Sequence, residues 1–143
     1  MSRGIDMQSV RPEKDSKIRF RYLAEHDCVV AYVDWQVESM RDVQEWRAAY
    51  EDYFIRNHRG RLVDVIFDLS KFTVSPRIAL LFGEVRAKML KEFTGRTYRV
   101  RVDAATRIAM YTSRVLYGAP ANEFESIEAA IAQLKADRAA RTG

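Results

Sequence analysis

The chain has 143 residues, 48% hydrophobic and 31% charged, which suits one domain with its own core. No apolar run approaches the roughly 20 residues of a membrane span, and residues 1–16 lack the apolar stretch of a secretory signal. With Cys28 as the only cysteine, an internal disulfide is excluded and a cytoplasmic location is expected. The net charge of +4 is local, because residues 95–118 carry Arg96, Arg99, Arg101, Arg107 and Arg114 against Asp103 while the rest is balanced. Such a basic patch is either a solvated face or a surface for an acidic partner, a phosphate or nucleic acid.

Residues 1–16 are polar and aperiodic and read as a flexible arm; residues 17–138 form the domain. Residues 17–24 alternate, with Ile18, Phe20 and Tyr22 on one face and Lys17, Arg19 and Arg21 on the other, as in a half-exposed strand. Residues 25–27 turn the chain, and residues 28–35 form a second strand of an antiparallel hairpin. A helix is predicted over residues 40–57, with Ser39 as its cap and Met40, Val43, Trp46, Tyr50, Tyr53 and Phe54 on one stripe.

The central stretch begins at Leu62. Residues 62–69 are apolar, rich in β-branched residues and too short for a helix, so they read as a buried strand. Residues 70–74 read as a polar turn. Ser75-Pro76 then opens a helix, with serine at the N-cap and proline at the first position, where its missing N–H costs nothing. That helix carries Ile78, Leu81, Phe82, Val85, Met89 and Leu90 inward and stops at Gly95. A buried strand running into a helix predicts a parallel strand beyond it.

Residues 97–102 supply that strand, with Tyr98, Val100 and Val102 on one face and Thr97, Arg99 and Arg101 on the other. Asp103 and Gly118 bracket a helix over 104–117, although residues 107–112 also alternate as a strand would. A short edge strand is expected near 123–125. Ser126 caps a last helix over 127–138, with Ile127, Ala130, Ile131 and Leu134 inward, and residues 139–143 fray.

Buried charges without partners are costly, at about 3–5 kcal/mol when a pair is broken. The charged faces of residues 17–24 and 97–102, and Asp64 with Asp68 on one face, therefore predict an open, polar, arginine-bearing sheet face. The fold class is α/β: a mixed sheet of four to five strands, helices mainly on one face, order ββαβαβα(β)α.

The strand, Asp68-Leu-Ser, the short turn and the serine-opened helix, together with Phe124-Glu-Ser-Ile-Glu-Ala-Ala at the entry to the last helix, resemble STAS domains, the SpoIIAA-like anti-sigma-factor-antagonist family. The resemblance spans roughly residues 17–135. It implies a non-enzymatic regulator, bacterial and in signalling, whose partner is a kinase or anti-sigma-like factor. In that family the turn before the second helix carries Asp-Ser-x-Gly, and its serine is phosphorylated. Here the turn reads Val74-Ser75-Pro76-Arg77-Ile78, without the aspartate and glycine. Ser75 falls on or beside the phosphoacceptor position, and Pro76 is the other candidate for the slot. Ser70, Thr73, Ser75, Arg77 and Leu81 are the implied partner-binding residues.

No catalytic constellation accompanies these elements. His26 and His58 are far apart and share no zinc-site spacing with Cys28, and Cys28 has no cation beside it to activate its thiol. Phosphate-loop, dinucleotide and nucleophile-elbow motifs are absent. No catalytic residue, metal or cofactor is expected. Asp34, Asp64 and Asp68 read as structural. A second reading is a carrier of a small apolar, lipid-like ligand, lined by Trp35, Trp46, Tyr50, Phe54, Phe72, Phe82 and Phe93. Nucleic-acid binding has only Tyr98, Tyr111 and Tyr117 for stacking and ranks third. A homo-oligomer is compatible with all three.

Overall fold

The computed structural model describes residues 17–100 and 122–142. Strand β1, Ile18–Leu23, pairs antiparallel with β2, Cys28–Val37, as the alternation predicts. Asp27 closes the turn at φ 47°, a conformation that aspartate tolerates better than most residues. Helix α1, Met40–Asn57, starts at Ser39, whose Oγ accepts from the Asp42 N–H at 3.1 Å. The Asp42 carboxylate in turn accepts from the Glu38 N–H at 2.8 Å, so the helix entrance is tied on both sides. Gly60, at φ 86°, turns the chain back toward β3.

Strand β3, Val63–Val74, helix α2, Ala79–Phe93, strand β4, Thr94–Val100, the short β5, Asn122–Phe124, and helix α3, Ile127–Thr142, complete the described fold. The five strands lie in the order β1-β2-β3-β4-β5. All pairs after the hairpin are parallel, with α1 and α2 as the crossovers from β2 to β3 and from β3 to β4. Helices lie mainly on one face. Trp46, Tyr50 and Phe54 of α1 and Phe82, Met89 and Leu90 of α2 pack on Val29, Ala31, Val33, Val65 and Phe67 of the sheet. The opposite face is covered in part by α3, whose Ala130 and Leu134 meet Cys28, Val30, Ile66, Tyr98 and Val100.

Several boundaries differ from expectation, each for a physical reason. Residues 70–74 are not a turn but the last part of β3, paired with β2 from Asp34 to Val37. Between Asp68 and Lys71, β3 has one more residue than β2 has between Tyr32 and Asp34. That bulge leaves Ser70 and Lys71 exposed in succession and breaks the alternation, which resumes with buried Phe72 and Val74. Helix α2 ends at Phe93 and leads directly into β4, so Gly95 is a strand residue and not a helix stop. Met40 is 52% exposed, outside the stripe that Val43 begins. The expected fraying after residue 138 is replaced by helix as far as Thr142.

The placement of Arg99 is the largest correction. Alternation separates the two faces of a strand but cannot say which is open. β4 lies between two helical layers: Tyr98 and Val100 face α3, whereas Arg99 pairs in register with Phe67 and shares its face toward α1 and α2. Arg99 is thus 2% exposed and belongs to no solvated patch. Arg96 is half-buried, and its backbone N–H donates to Asp64. Arg101, Arg107 and Arg114 lie outside the described residues, as do the helix-or-strand question at 104–117 and the arm at 1–16.

Candidate functional site

The segment from Ser70 to Leu81 is built by the end of β3, a single turn and the start of α2. The Ser75 N–H donates to the Val37 carbonyl at 2.8 Å, so the serine continues the β2–β3 ladder. This matches the steric bias of a residue before proline toward extended backbone. The Ser75 carbonyl then accepts from the Ile78 N–H at 3.0 Å, and its Oγ accepts from the Arg77 N–H at 3.4 Å. Helix α2 begins only at Ala79. Its N-cap is Ile78, which has no side-chain oxygen to offer, and its first turn holds no acidic residue. Ser75 is therefore not the helix cap that Ser75-Pro76 predicts; it stands one turn upstream of an uncapped helix end.

The five expected partner-binding residues divide between two places. Arg77 is exposed, Ser75 and Leu81 are half-buried, and Leu80 beside them is 55% exposed. Thr73 is half-buried on the face that carries Lys71, paired with Gln36. Ser70 joins Lys17, Arg19, Tyr32, Asp34, Asp68 and Lys71 around a groove of about 190 Å³ on that same face. The Arg19 guanidinium lies 4.7 Å from the Tyr32 ring centroid, and Asp68 Oδ1 accepts from the Ser70 N–H at 3.1 Å. This is the open, cation-bearing sheet area that the charged strand face predicts, carried by β1 and β3.

Other chemistry-bearing side chains are buried or paired within the fold. Burial pushes the Cys28 thiol up to about 11, which leaves it inert at neutral pH. His58 Nε2 is 3.0 Å from the Tyr53 hydroxyl, and burial lowers its pKa. Among the described residues, no three His, Cys, Asp or Glu side chains gather where a metal ion would bind. Asp64 accepts from Arg138 Nη2 at 2.8 Å and from the Arg96 N–H at 2.6 Å, while Arg138 also donates to the carbonyls of His26 and Asp27. The aromatics proposed to line a ligand cavity pack largely on each other: Trp46 stacks on Tyr50, Phe72 meets Phe82, and all but the half-buried Phe93 are buried, with a void of only about 10 Å³ beside Trp46, Phe72 and Phe82.

Sequence reasoning missed Arg86, which is 2% exposed inside α2. Its signal was present: Phe82, Arg86, Met89 and Leu90 fall at helical spacing on one stripe.

No family model and no curated protein matches the chain. A solved structure is similar: the anti-sigma factor antagonist SpoIIAA in its unphosphorylated form, at 15% identity and TM-score 0.56, covering 83% of this chain and 96% of that one. The fold is that of SpoIIAA. The ββαβαβ order and the mixed sheet thereby fit the STAS-like framework that the sequence resembles. None of the described helices is long and apolar enough to cross a membrane.

Proposed function

We propose that the chain is a non-enzymatic, STAS-like regulatory module that docks a protein partner at the turn before α2, with Ser75 as a phosphoacceptor that switches the contact. The observation that carries the reading is the uncapped start of α2. A helix N-terminus bears partial positive charge and unpaired N–H groups, and here neither a side-chain cap nor an acidic residue offsets it. A phosphate on Ser75 would stand at the Arg77 N–H, in the turn that leads into that end, where anions are favoured. Exposed Arg77 and Leu80 give the surface one cation and one apolar anchor. The partner on this reading is a cytoplasmic kinase or anti-sigma-like factor. The SpoIIAA fold supports the choice.

The test pairs the purified chain with the kinase-type anti-sigma factors of its own genome, by calorimetry and by phosphopeptide mapping. Arg77→Glu and Leu80→Glu weaken binding at least tenfold, and incubation with ATP phosphorylates Ser75. Binding unaffected by both substitutions, with no phosphate on Ser75, removes the proposal.

A further inference from the structure

The bulge in β3 brings two neighbouring residues to one side of the sheet. Successive residues of a regular strand point to opposite faces, yet Ser70 and Lys71 both line the groove over β2. The extra residue that β3 holds there against β2 re-aims the Lys71 side chain, as bulges do beside binding sites. Without it, one of the two would face the covered side of the sheet.

The groove runs across three strands. Arg19 of β1 stands opposite Tyr32 of β2, and beyond the bulge Asp34 of β2 stands opposite Lys71 of β3. The Arg19 guanidinium lies 4.7 Å from the Tyr32 ring centroid, which holds the cation at the groove. Lys17 leans instead toward Glu45, 3.9 Å away. Arg19, Asp34 and Lys71 are exposed, and among the described residues none of the three is ion-paired.

This lining sets the chemistry of an occupant. Arginine forks onto phosphate oxygens and lysine adds a point charge. Neighbouring strands lie about 4.8 Å apart, so β1 and β3 are about 10 Å apart, a span that two long side chains can close on one phosphate. Asp34 stands between them and accepts hydrogen bonds only, so it repels a bare anion and favours one that brings donors. The lining carries Lys17, Arg19 and Lys71 against Asp34 and Asp68, which disfavours a further positive charge. The donors are therefore neutral hydroxyls. At about 190 Å³, the groove is below the roughly 300–1,000 Å³ of pockets that enclose drug-sized ligands, so the occupant is small.

We propose that this groove binds a small hydroxylated phosphate ester of pentose-phosphate size, its phosphate on Arg19 and Lys71 and its hydroxyls on Asp34. The site depends neither on Ser75 nor on a protein partner.

The experiment is titration of the intact chain at low salt with ribose 5-phosphate, and separately with inorganic phosphate and with ribose, followed by calorimetry and by the NMR shifts of the Tyr32 and Ser70 amides. Ribose 5-phosphate is expected to bind about tenfold or more tightly than inorganic phosphate, and ribose not to bind. Arg19→Gln and Lys71→Gln, at exposed positions outside the core, should each weaken binding by about tenfold. Asp34→Asn should tighten inorganic phosphate and erase the preference, a gain that a damaged fold does not produce. No binding at millimolar ribose 5-phosphate overturns the proposal. So do equal affinities for ribose 5-phosphate and inorganic phosphate, which mark a bare patch of charge, and binding that survives Arg19→Gln and Lys71→Gln combined.

Discussion

Gly95 and Asp64 are coupled tightly enough to give a non-additive mutant cycle. A Cβ added at Gly95 would stand 2.6 Å from Asp64 Oδ1, closer than real contacts allow. Asp64 cannot swing aside freely, because the same oxygen accepts from the Arg96 N–H at 2.6 Å and its other oxygen holds Arg138 at 2.8 Å. Gly95→Ala therefore forces out a carboxylate that is 17% exposed. Losing the backbone acceptor costs about 1–2 kcal/mol. Losing the Arg138 contacts adds about 1 kcal/mol after a discount for water reaching the 35% exposed arginine. Gly95→Ala and Asp64→Ala should each cost about 2–3 kcal/mol, or a Tm fall of roughly 6–12 °C. Once Asp64 is alanine, the clash is gone. The second methyl should then be neutral or stabilising by about 0.4–1 kcal/mol, since Gly95 has no positive φ to protect. Urea unfolding followed by fluorescence of the buried Trp35 and Trp46 measures the cycle. A coupling energy of about 2 kcal/mol or more is expected. Equal destabilisation by Gly95→Ala in both backgrounds would refute the reasoning.

Other substitutions probe separate parts of the fold. Tyr50→Phe leaves the buried Thr94 hydroxyl without the partner now 2.5 Å away, and should cost about 1–2 kcal/mol in urea unfolding while the stacking on Trp46 persists. Burial, with Arg61 adding, holds His58 below its usual 6.5, so the unfolded chain binds the proton more readily. Stability should fall as pH drops below about 6.5, and His58→Gln should flatten that part of the Tm–pH curve. Hydrogen bonds from Arg61 and then Tyr22 bring the Asp27 carboxyl from 3.8 to about 2. The stability this contributes is present above pH 3.8 and lost as pH falls toward 2. Arg61→Ala should move the NMR-detected Asp27 midpoint upward, with Tyr22 preserving part of the shift; an unmoved midpoint would exclude the ion pair as its main cause.

The elements that sequence made legible are those in which one face is consistently apolar. Val43, Trp46, Tyr50 and Phe54 announce α1, and Ile18 with Phe20 announces β1. What stayed hidden depended on long-range placement. Nothing local to Tyr98 or Arg99 says that helices cover both faces of β4, so the arginine on its second face looked solvated. The bulge near Ser70 mimicked a turn because two exposed residues in a row look like the end of a strand. The segment around Ser75 stood out by its residues, but its geometry did not. Whether Ser75 caps α2 depends on how far the β2–β3 ladder runs, and that is set by the Val37 carbonyl, thirty-eight residues earlier.

Among the described strands, β1 is the outermost and pairs only with β2. The border of an outer strand is a template on which a second chain can build. The Lys17 side chain just before it, and Arg19 and Arg21 along it, are exposed. Two copies meeting border to border would have to bring these cations together across the new seam. The hairpin thus carries its own deterrent against runaway sheet extension. Replacing Arg19 and Arg21 by threonine would spare the hydrophobic side of the strand while removing that repulsion, leaving the border open to aggregation.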